Sequence, residues 1–191
     1  MLHSCKVNTR ETTAMIQLQS AGFVLRPFVT QDAPAFAAAV RESMATVGQW
    51  MSWGRADFSE DDARAWFAAC DGARADGSSH EFGIFRGDTL VGGAGLNQFN
   101  TVHAFCNLGY WVSASAQRQG AASAAVAALA RHAFDALKQS RVEIVVAEGN
   151  APSIGVARKA GAVHECLARN RVLLHGKPVA AHVFALLPPE K

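Results

Sequence analysis

The chain lacks the short signatures that assign many enzymes at sight. It has no G-x-x-x-x-G-K-[ST] and no G-x-G-x-x-G after an early strand, so neither a P-loop nor a dinucleotide fingerprint is present. Charge is scarce: 18% of residues are charged and the net charge is +2, too small a surplus to make nucleic acid a main partner. No apolar run approaches the ~18 residues of a membrane span. No basic-then-apolar leader precedes an A-x-A site, and the expectation is a cytoplasmic protein without a membrane partner. The four cysteines, Cys5, Cys70, Cys106 and Cys166, include no C-x-x-C pair. They read as free thiols in a reducing compartment, and no metal is expected. Repeats, linkers and low-complexity blocks are missing as well.

What remains is apolar and globular. Half of the 191 residues are hydrophobic, a composition and length that fit one domain with a substantial core. Residues 1–20 show little pattern and are expected to form a flexible tail, with Met15 as an alternative start; residues 21–191 are expected to form the domain. Gly22 to Val29 alternates as a first strand. Thr30 or Asp32 is then placed to cap a helix that buries Ala33, Phe36, Ala37 and Val40. Ser59 with Glu60, Asp61 and Asp62 opens a second helix, whose expected buried stripe is Ala63, Trp66, Phe67 and Cys70. Between them, Trp50 and Trp53 sit in a glycine-flanked connection, as core lids or as walls of an acceptor pocket.

Three strands follow, at Glu81 to Arg86, Thr89 to Asn97 and His103 to Val112. Arg86-Gly-Asp88 is a hairpin turn, and Gly92, Gly93 and Gly95 suggest a bulge or a close backbone approach. A helix over Ala121 to Leu137 is expected to bury Ala122, Val126, Leu129, Ala133 and Leu137. Val142 to Ala147 reads as an interior strand. Asn150 caps a short helix with Pro152 in its first turn and Gly161 after its end, and a final hairpin runs from Val172 to Leu187. The order is β-α-α-β-β-β-α-β-α-β-β. That is an α+β fold on a mixed sheet, with an antiparallel meander and then a parallel crossover.

The stretch Gln117-Arg118-Gln119-Gly120-Ala121-Ala122-Ser123 joins the third meander strand to the long helix. A strand, a tight small-residue turn and a helix start make an anion cradle, because unpaired N–H groups and the positive end of the helix dipole meet there. Small residues let phosphates approach the backbone closely. A helix start whose small residues merely pack on a strand accounts for the same pattern.

Gln117, Gly120 and Ala122 fill the pattern Q/R-x-x-G-x-G/A, which resembles the acetyl-CoA pyrophosphate loop of the GNAT N-acetyltransferases. The chain is most similar to the branch containing the ribosomal-protein alanine N-acetyltransferases, the RimJ/RimL type. Leu25-Arg26-Pro27, Gln49-Trp50 with Trp53, Leu108 to Val112, Asn150-x-x-Ser153, Lys159-Ala-Gly161 and Leu173-Leu-His-Gly176 carry that resemblance over roughly residues 22–187.

The resemblance implies acetyl-CoA as co-substrate and direct attack of a primary amine on the thioester. It implies that two strands splay, that Trp111 and Val112 hold the pantetheine arm, and that Gln117, Arg118, Gln119, Gly120, Ala121 and Ala122 hold the pyrophosphate. Asn150 would contact the arm. Ser153 would lie near the sulfur as proton donor, and Trp50, Trp53 and Asn107 would meet the acceptor. Asn150 and Ser153 are also ordinary helix-start residues. The acid that relatives carry before the last hairpin is missing, since that stretch reads Arg171-Val172-Leu173-Leu174; Glu165, Glu148, Glu81 and His182 remain as candidate bases.

An α-amine of pKa ~8 is ~10% free base at pH 7, whereas lysine at ~10.4 is only ~0.04%. The shortfalls are ~1.4 and ~4.6 kcal/mol. A weak or absent base therefore favours peptide α-amines and low-pKa small amines. The expected partner is an amine acceptor, to a monomer or homodimer. The alternative is a non-catalytic acyl-CoA-binding sensor on the same fold.

Overall fold

The computed structural model describes residues 16–189. Met15, Cys5 and most of the expected tail lie outside that range. The last residues of that segment, Leu18–Ser20, form a strand, β1, antiparallel to β2 (Phe23–Arg26). The turn between them puts Ala21 and Gly22 at positive φ. The remaining elements are α1 (Ala33–Glu42), α2 (Glu60–Asp76), β3 (His80–Arg86), β4 (Thr89–Asn100), β5 (Phe105–Val112), α3 (Ala121–Asp135), β6 (Arg141–Ala147), α4 (Ala151–Lys159), β7 (Val163–Leu174) and β8 (Lys177–Leu186).

All eight strands join one mixed sheet in the order β1-β2-β3-β4-β5-β6-β8-β7. The pair β5–β6 is parallel, as the crossover through α3 requires, and the other pairs are antiparallel. Alternation along β5 divides the core in two. Cys106 and Leu108 pack with α3 and α4 on one face, together with Val126, Leu129, Ala133 and Ala157. Trp111 packs with α1 and α2 on the other, against Phe28, Phe36 and Phe67.

Local chemistry explains most boundaries. Ser59 and Asp62 cap α2 reciprocally, each side chain accepting from the other's backbone N–H. Gly77 closes that helix at φ 76, in the left-handed region that favours glycine. Asp32 departs from expectation, for its carboxylate does not cap α1. It accepts from Arg26 at 2.7 and 2.8 Å and from the Val29 N–H. Trp66 also departs: it is 44% exposed on α2, because Ala63, Phe67 and Cys70 already fill the buried stripe. Ala122 and Leu137 are half-buried rather than buried, Ala122 because it borders a cavity and Leu137 because α3 ends at Asp135.

The glycines of β4 are explained by close approach. A Cβ on Gly92 would fall on the Trp111 carbonyl, and one on Gly93 would sit 2.7 Å from Trp111 Nε1. A Cβ on Gly95 would overlap the Glu81 carboxylate. The bulge lies on this strand pair, between Ile84 and Phe85 of β3.

Candidate active site

The parallel seam between β5 and β6 closes for only three rungs, Phe105–Arg141, Cys106–Val142 and Asn107–Glu143. Beyond them β5 stays on β4 through Val112, while β6 stays on β8 through Ala147. Two strand edges, Leu108–Val112 and Ile144–Ala147, therefore face each other unpaired. They line a cleft of about 1070 Å³. Bare strand edges accept an extended, amide-bearing ligand in the manner of an added strand.

The mouth of the cleft is the turn before α3. Gly120 is the helix N-cap at φ 90, and no side chain caps the first turn. Gln117, Arg118, Gly120, Ala121, Ala122 and Ser123 line the cleft there, and the first helical turn has N–H groups without intrahelical partners. The turn is held from outside by contacts that no sequence pattern announces. Buried Ser43, at the end of α1, donates to the Ala39 carbonyl at 2.6 Å and accepts from the Ala114 N–H at 2.9 Å. Glu42 accepts from the Ser115 hydroxyl at 2.8 Å. Arg86 of β3 binds the side chain and carbonyl of Gln119. Gln119 thus faces this brace and is not among the cleft-lining residues.

On the wall beyond β6, Asn150 caps α4, its side chain accepting from the Ser153 N–H at 3.3 Å. Ser153 Oγ stands 2.8 Å from the phenol of Tyr110, which also donates to the Ser153 carbonyl at 3.1 Å. Burial pushes the Tyr110 phenol up to about 12, with the Ser153 bond opposing, so the phenol keeps its proton at neutral pH. Tyr110 is the chain's one tyrosine. Sequence reasoning passed over it as part of a strand, because its partner Ser153 lies 43 residues away.

Trp50 lines the cleft and packs near Gly149, while Met51, Thr46 and Val47 continue that wall. Trp53 stands apart from the lining, packed edge-on against Trp111 at 5.7 Å and 41% exposed. The last hairpin closes the side, with Val172, Leu173 and Leu174 in the lining and the His175 N–H donating to Ser52 Oγ at 3.1 Å. Asn107 lies at the vertex, on the last closed rung, and donates to Asn97 Oδ1 at 3.0 Å.

The four candidate bases separate by environment. Glu165 is bound by Arg141, whose hydrogen bond holds its carboxyl below the usual range. His182 is tied to His164 at 3.0 Å and, paired with Val146, faces the α3–α4 side. Glu148 is exposed just after β6. Glu81, on the α1–α2 side, is pushed up by burial, with Asn97 and Arg74 opposing. In place of the missing acid, Arg171 lies 3.7 Å from the Glu143 carboxylate. Among the described residues no three His, Cys, Asp or Glu side chains group as metal ligands, and no helix is long and apolar enough to cross a membrane.

A sheet opened to receive one long arm, with an anion cradle at its mouth and a hydroxyl pair on its wall, belongs to the acetyltransferases. The sequence profile of the Acetyltransferase (GNAT) domain matches residues 23–163, and the chain belongs to that family. It is an acetyl-CoA-dependent N-acetyltransferase of the GNAT fold. It is 34% identical to a Vibrio cholerae protein provisionally described as a ribosomal-protein-serine acetyltransferase, whose structure superposes with a TM-score of 0.80 over 91% of this chain and 98% of that one. A Bacillus subtilis protein provisionally named ribosomal N-acetyltransferase YdaF is 26% identical over 191 residues, 99% of this chain and 97% of the relative. Mycobacterium smegmatis RimJ, solved with a CoA disulfide, shares the fold at a TM-score of 0.82 and 22% identity, over 91% of this chain and 86% of that one.

Proposed function

We propose that the protein transfers acetyl from acetyl-CoA to a primary amine of low pKa, foremost the α-amine of a protein or peptide N-terminus, in the cytoplasm. The observation that carries this is the opened β5–β6 seam, whose bare edges run from the Asn107–Glu143 rung to the uncapped start of α3. The pyrophosphate binds the backbone from Gln117 to Ala122, with Gln119 acting through its brace to Arg86. The pantetheine lies along Trp111 and Val112, and Asn150 contacts it from α4. The amine enters from the face that carries Trp50, Trp53 and Asn107. Relatives described as acting on ribosomal proteins support a protein N-terminus as acceptor.

Attack of the neutral amine forms the C–N bond and breaks the C–S bond. Ser153 donates its proton to the sulfur as it becomes a thiolate, Tyr110 turns its one proton from the Ser153 carbonyl to Oγ, and solvent returns a proton to the serine. Backbone N–H groups of the free β5 edge near Val112 are available to the developing oxyanion. The amine's surplus proton leaves through water, a modest demand for an α-amine and a severe one for lysine.

The test is release of CoA thiol from acetyl-CoA against N-terminal peptides, free lysine, polyamines and aminoglycosides, alongside an acetyl-CoA titration. Turnover concentrated on peptide α-amines is expected. Tight acetyl-CoA binding with no turnover on any amine, or turnover fastest on lysine side chains at pH 7, overturns the reading.

A further inference from the structure

The charged residues that line the cleft are Arg118, on the turn before α3, and Lys159, in the last turn of α4. Both are cations, and no carboxylate joins them in the lining. Several arginines elsewhere find acids: Arg26 pairs with Asp32, Arg64 with Glu60, and Arg141 with Glu165. Among the described residues, Arg118 and Lys159 make no ion pair. An opening lined by cations alone holds a positive potential and draws anions.

The two cations stand on different elements. Arg118 belongs to the turn that leads into the uncapped start of α3, and it is held at φ 59, in the left-handed region. Lys159 belongs to α4, where Ser153, Val156 and Lys159 recur at three-residue spacing and all line the cleft. At 1.5 Å per residue, Lys159 lies about 9 Å along the helix axis from Ser153. It stands well away from the Tyr110–Ser153 pair, therefore, and the chemistry above does not use it. α3 and α4 pack on each other, and Ala122 and Ser123 of α3 line the same cleft. A basic residue in the last turn of a helix answers the helix dipole, and Arg158 fits that account because it is exposed and outside the lining. Lys159, its neighbour in the chain, differs by lining the cleft.

Acetyl-CoA carries two kinds of phosphate. Its pyrophosphate joins the pantetheine arm to the nucleotide, and the cradle with Arg118 in its turn serves that group. Its ribose 3′-phosphate is a monoester with a second pKa of about 6, close to a dianion at pH 7. We propose that Lys159 binds the 3′-phosphate and thereby selects the donor, favouring acetyl-CoA over 3′-dephospho-CoA and carrier-bound phosphopantetheine thioesters. The inference rests on the acetyl-CoA reading and adds the residue that chooses among pantetheine thioesters. An ammonium with three rotatable donors suits a phosphate ester whose oxygens turn freely about one bond. A thioester on a carrier protein has no ribose phosphate and leaves Lys159 without a partner. The reaction that supplies this enzyme is then one that releases acetyl-CoA into free solution.

The test crosses two ligands with four variants. Calorimetry gives Kd for acetyl-CoA and for acetyl-3′-dephospho-CoA with the wild type, Lys159→Ala, Lys159→Arg, Arg118→Ala and Arg158→Ala. The wild type should prefer acetyl-CoA by about five- to tenfold, within reach of an exposed cation because the phosphate is doubly charged. Lys159→Ala should lose that preference, weakening acetyl-CoA while leaving the dephospho form within about twofold. Lys159→Arg should keep most of it. Arg118→Ala should weaken both ligands by a similar factor, and Arg158→Ala should move neither by more than about twofold. The wild-type preference should also shrink as salt is raised. Equal weakening of both ligands by Lys159→Ala, or a wild type that does not distinguish them, overturns the proposal. So does a Lys159→Ala enzyme with unchanged acetyl-CoA Kd and a raised KM for the amine, which would give Lys159 to an acidic acceptor. A wild-type protein that binds neither donor overturns the acetyl-CoA reading itself.

Discussion

The phenol of Tyr110 and the hydroxyl of Ser153 meet at 2.8 Å across the opened seam, one on β5 and the other on α4. In the proposed reaction this pair serves the leaving sulfur. Ser153→Ala should lower kcat by ten- to a hundredfold, toward the lower range expected of a proton-donating group. Tyr110→Phe should cost less, about tenfold, because the serine hydroxyl remains. Acetyl-CoA Kd should stay within about threefold in both, as calorimetry would read. An unchanged kcat in Ser153→Ala would remove the pair from the chemistry.

Gly120 is the N-cap of α3 at φ 90, and a Cβ there would meet nothing within 4 Å. Any effect of Gly120→Ala is therefore backbone strain and not a clash. The left-handed region costs a non-glycine residue about 1–2 kcal/mol. Expected are a lower Tm and, because the cradle is built from this backbone, acetyl-CoA binding weaker by about tenfold. Binding at wild-type strength would place the pyrophosphate elsewhere.

The residues of this turn were legible in the sequence because its chemistry is local, a strand followed by Gly120 and an apolar helix. The same holds for the Ser59–Asp62 cap, the 86–89 hairpin and the Asn150 cap. What was not legible depends on residues far apart in the chain. The Ser43 bond to Ala114 spans 71 residues and the Tyr110–Ser153 bond 43, and nothing in either segment alone announces the other. Trp66 was misplaced for a related reason. Spacing alone assigned it to the buried stripe of α2, whereas its neighbours already fill the space. The hydrogen bonds from Asn97 to Glu81 and from Asn107 to Asn97 became visible only once three strands were set in register.

Ser43 is 1% exposed and ties α1 to the segment leading into the cradle. Ser43→Ala leaves the half-buried Ala114 N–H without its partner, a loss of about 1 kcal/mol. Tm should fall by several degrees, and acetyl-CoA affinity should fall with it because Ser113 to Gln119 loses an anchor. Ser43→Cys, which keeps a weak acceptor, should lose less. A thermal scan with and without CoA separates the two effects.

Two glycines offer a matched pair. At Gly92 a Cβ would land on the Trp111 carbonyl and force β4 from β5, so Gly92→Ala should destabilise the fold by several kcal/mol, comparable to other overpacking changes. At Gly155, inside α4 with nothing within 4 Å, alanine should instead stabilise by about 0.5–1 kcal/mol through helix propensity. Denaturant midpoints measure both. Equal signs at the two sites would contradict the β4–β5 register.

His80 and His132 face each other at 6.0 Å between ring centres, with Phe99 and Phe82 beside them and Arg74 nearby. Burial pushes both imidazoles below the ordinary value of about 6.5. His132 and Arg74 lower His80 further, and Arg74 lowers His132. His80 Nδ1 and His132 Nε2 are buried without partners among the described residues, so those residues offer neither nitrogen an acceptor for an added proton. The unfolded chain takes up protons as pH falls through about 6.5, while the folded chain resists until lower pH. Stability is therefore full above that value and is lost as pH falls from it toward the depressed folded-state values. Tm should drop between pH 7 and pH 5, and His80→Gln with His132→Gln should flatten that drop even if it lowers Tm at pH 7. A slope unchanged by the double substitution would assign the acid sensitivity to other groups, with the carboxylates of Asp62 and Glu165, held low by Ser59 and Arg141, the next to test at lower pH.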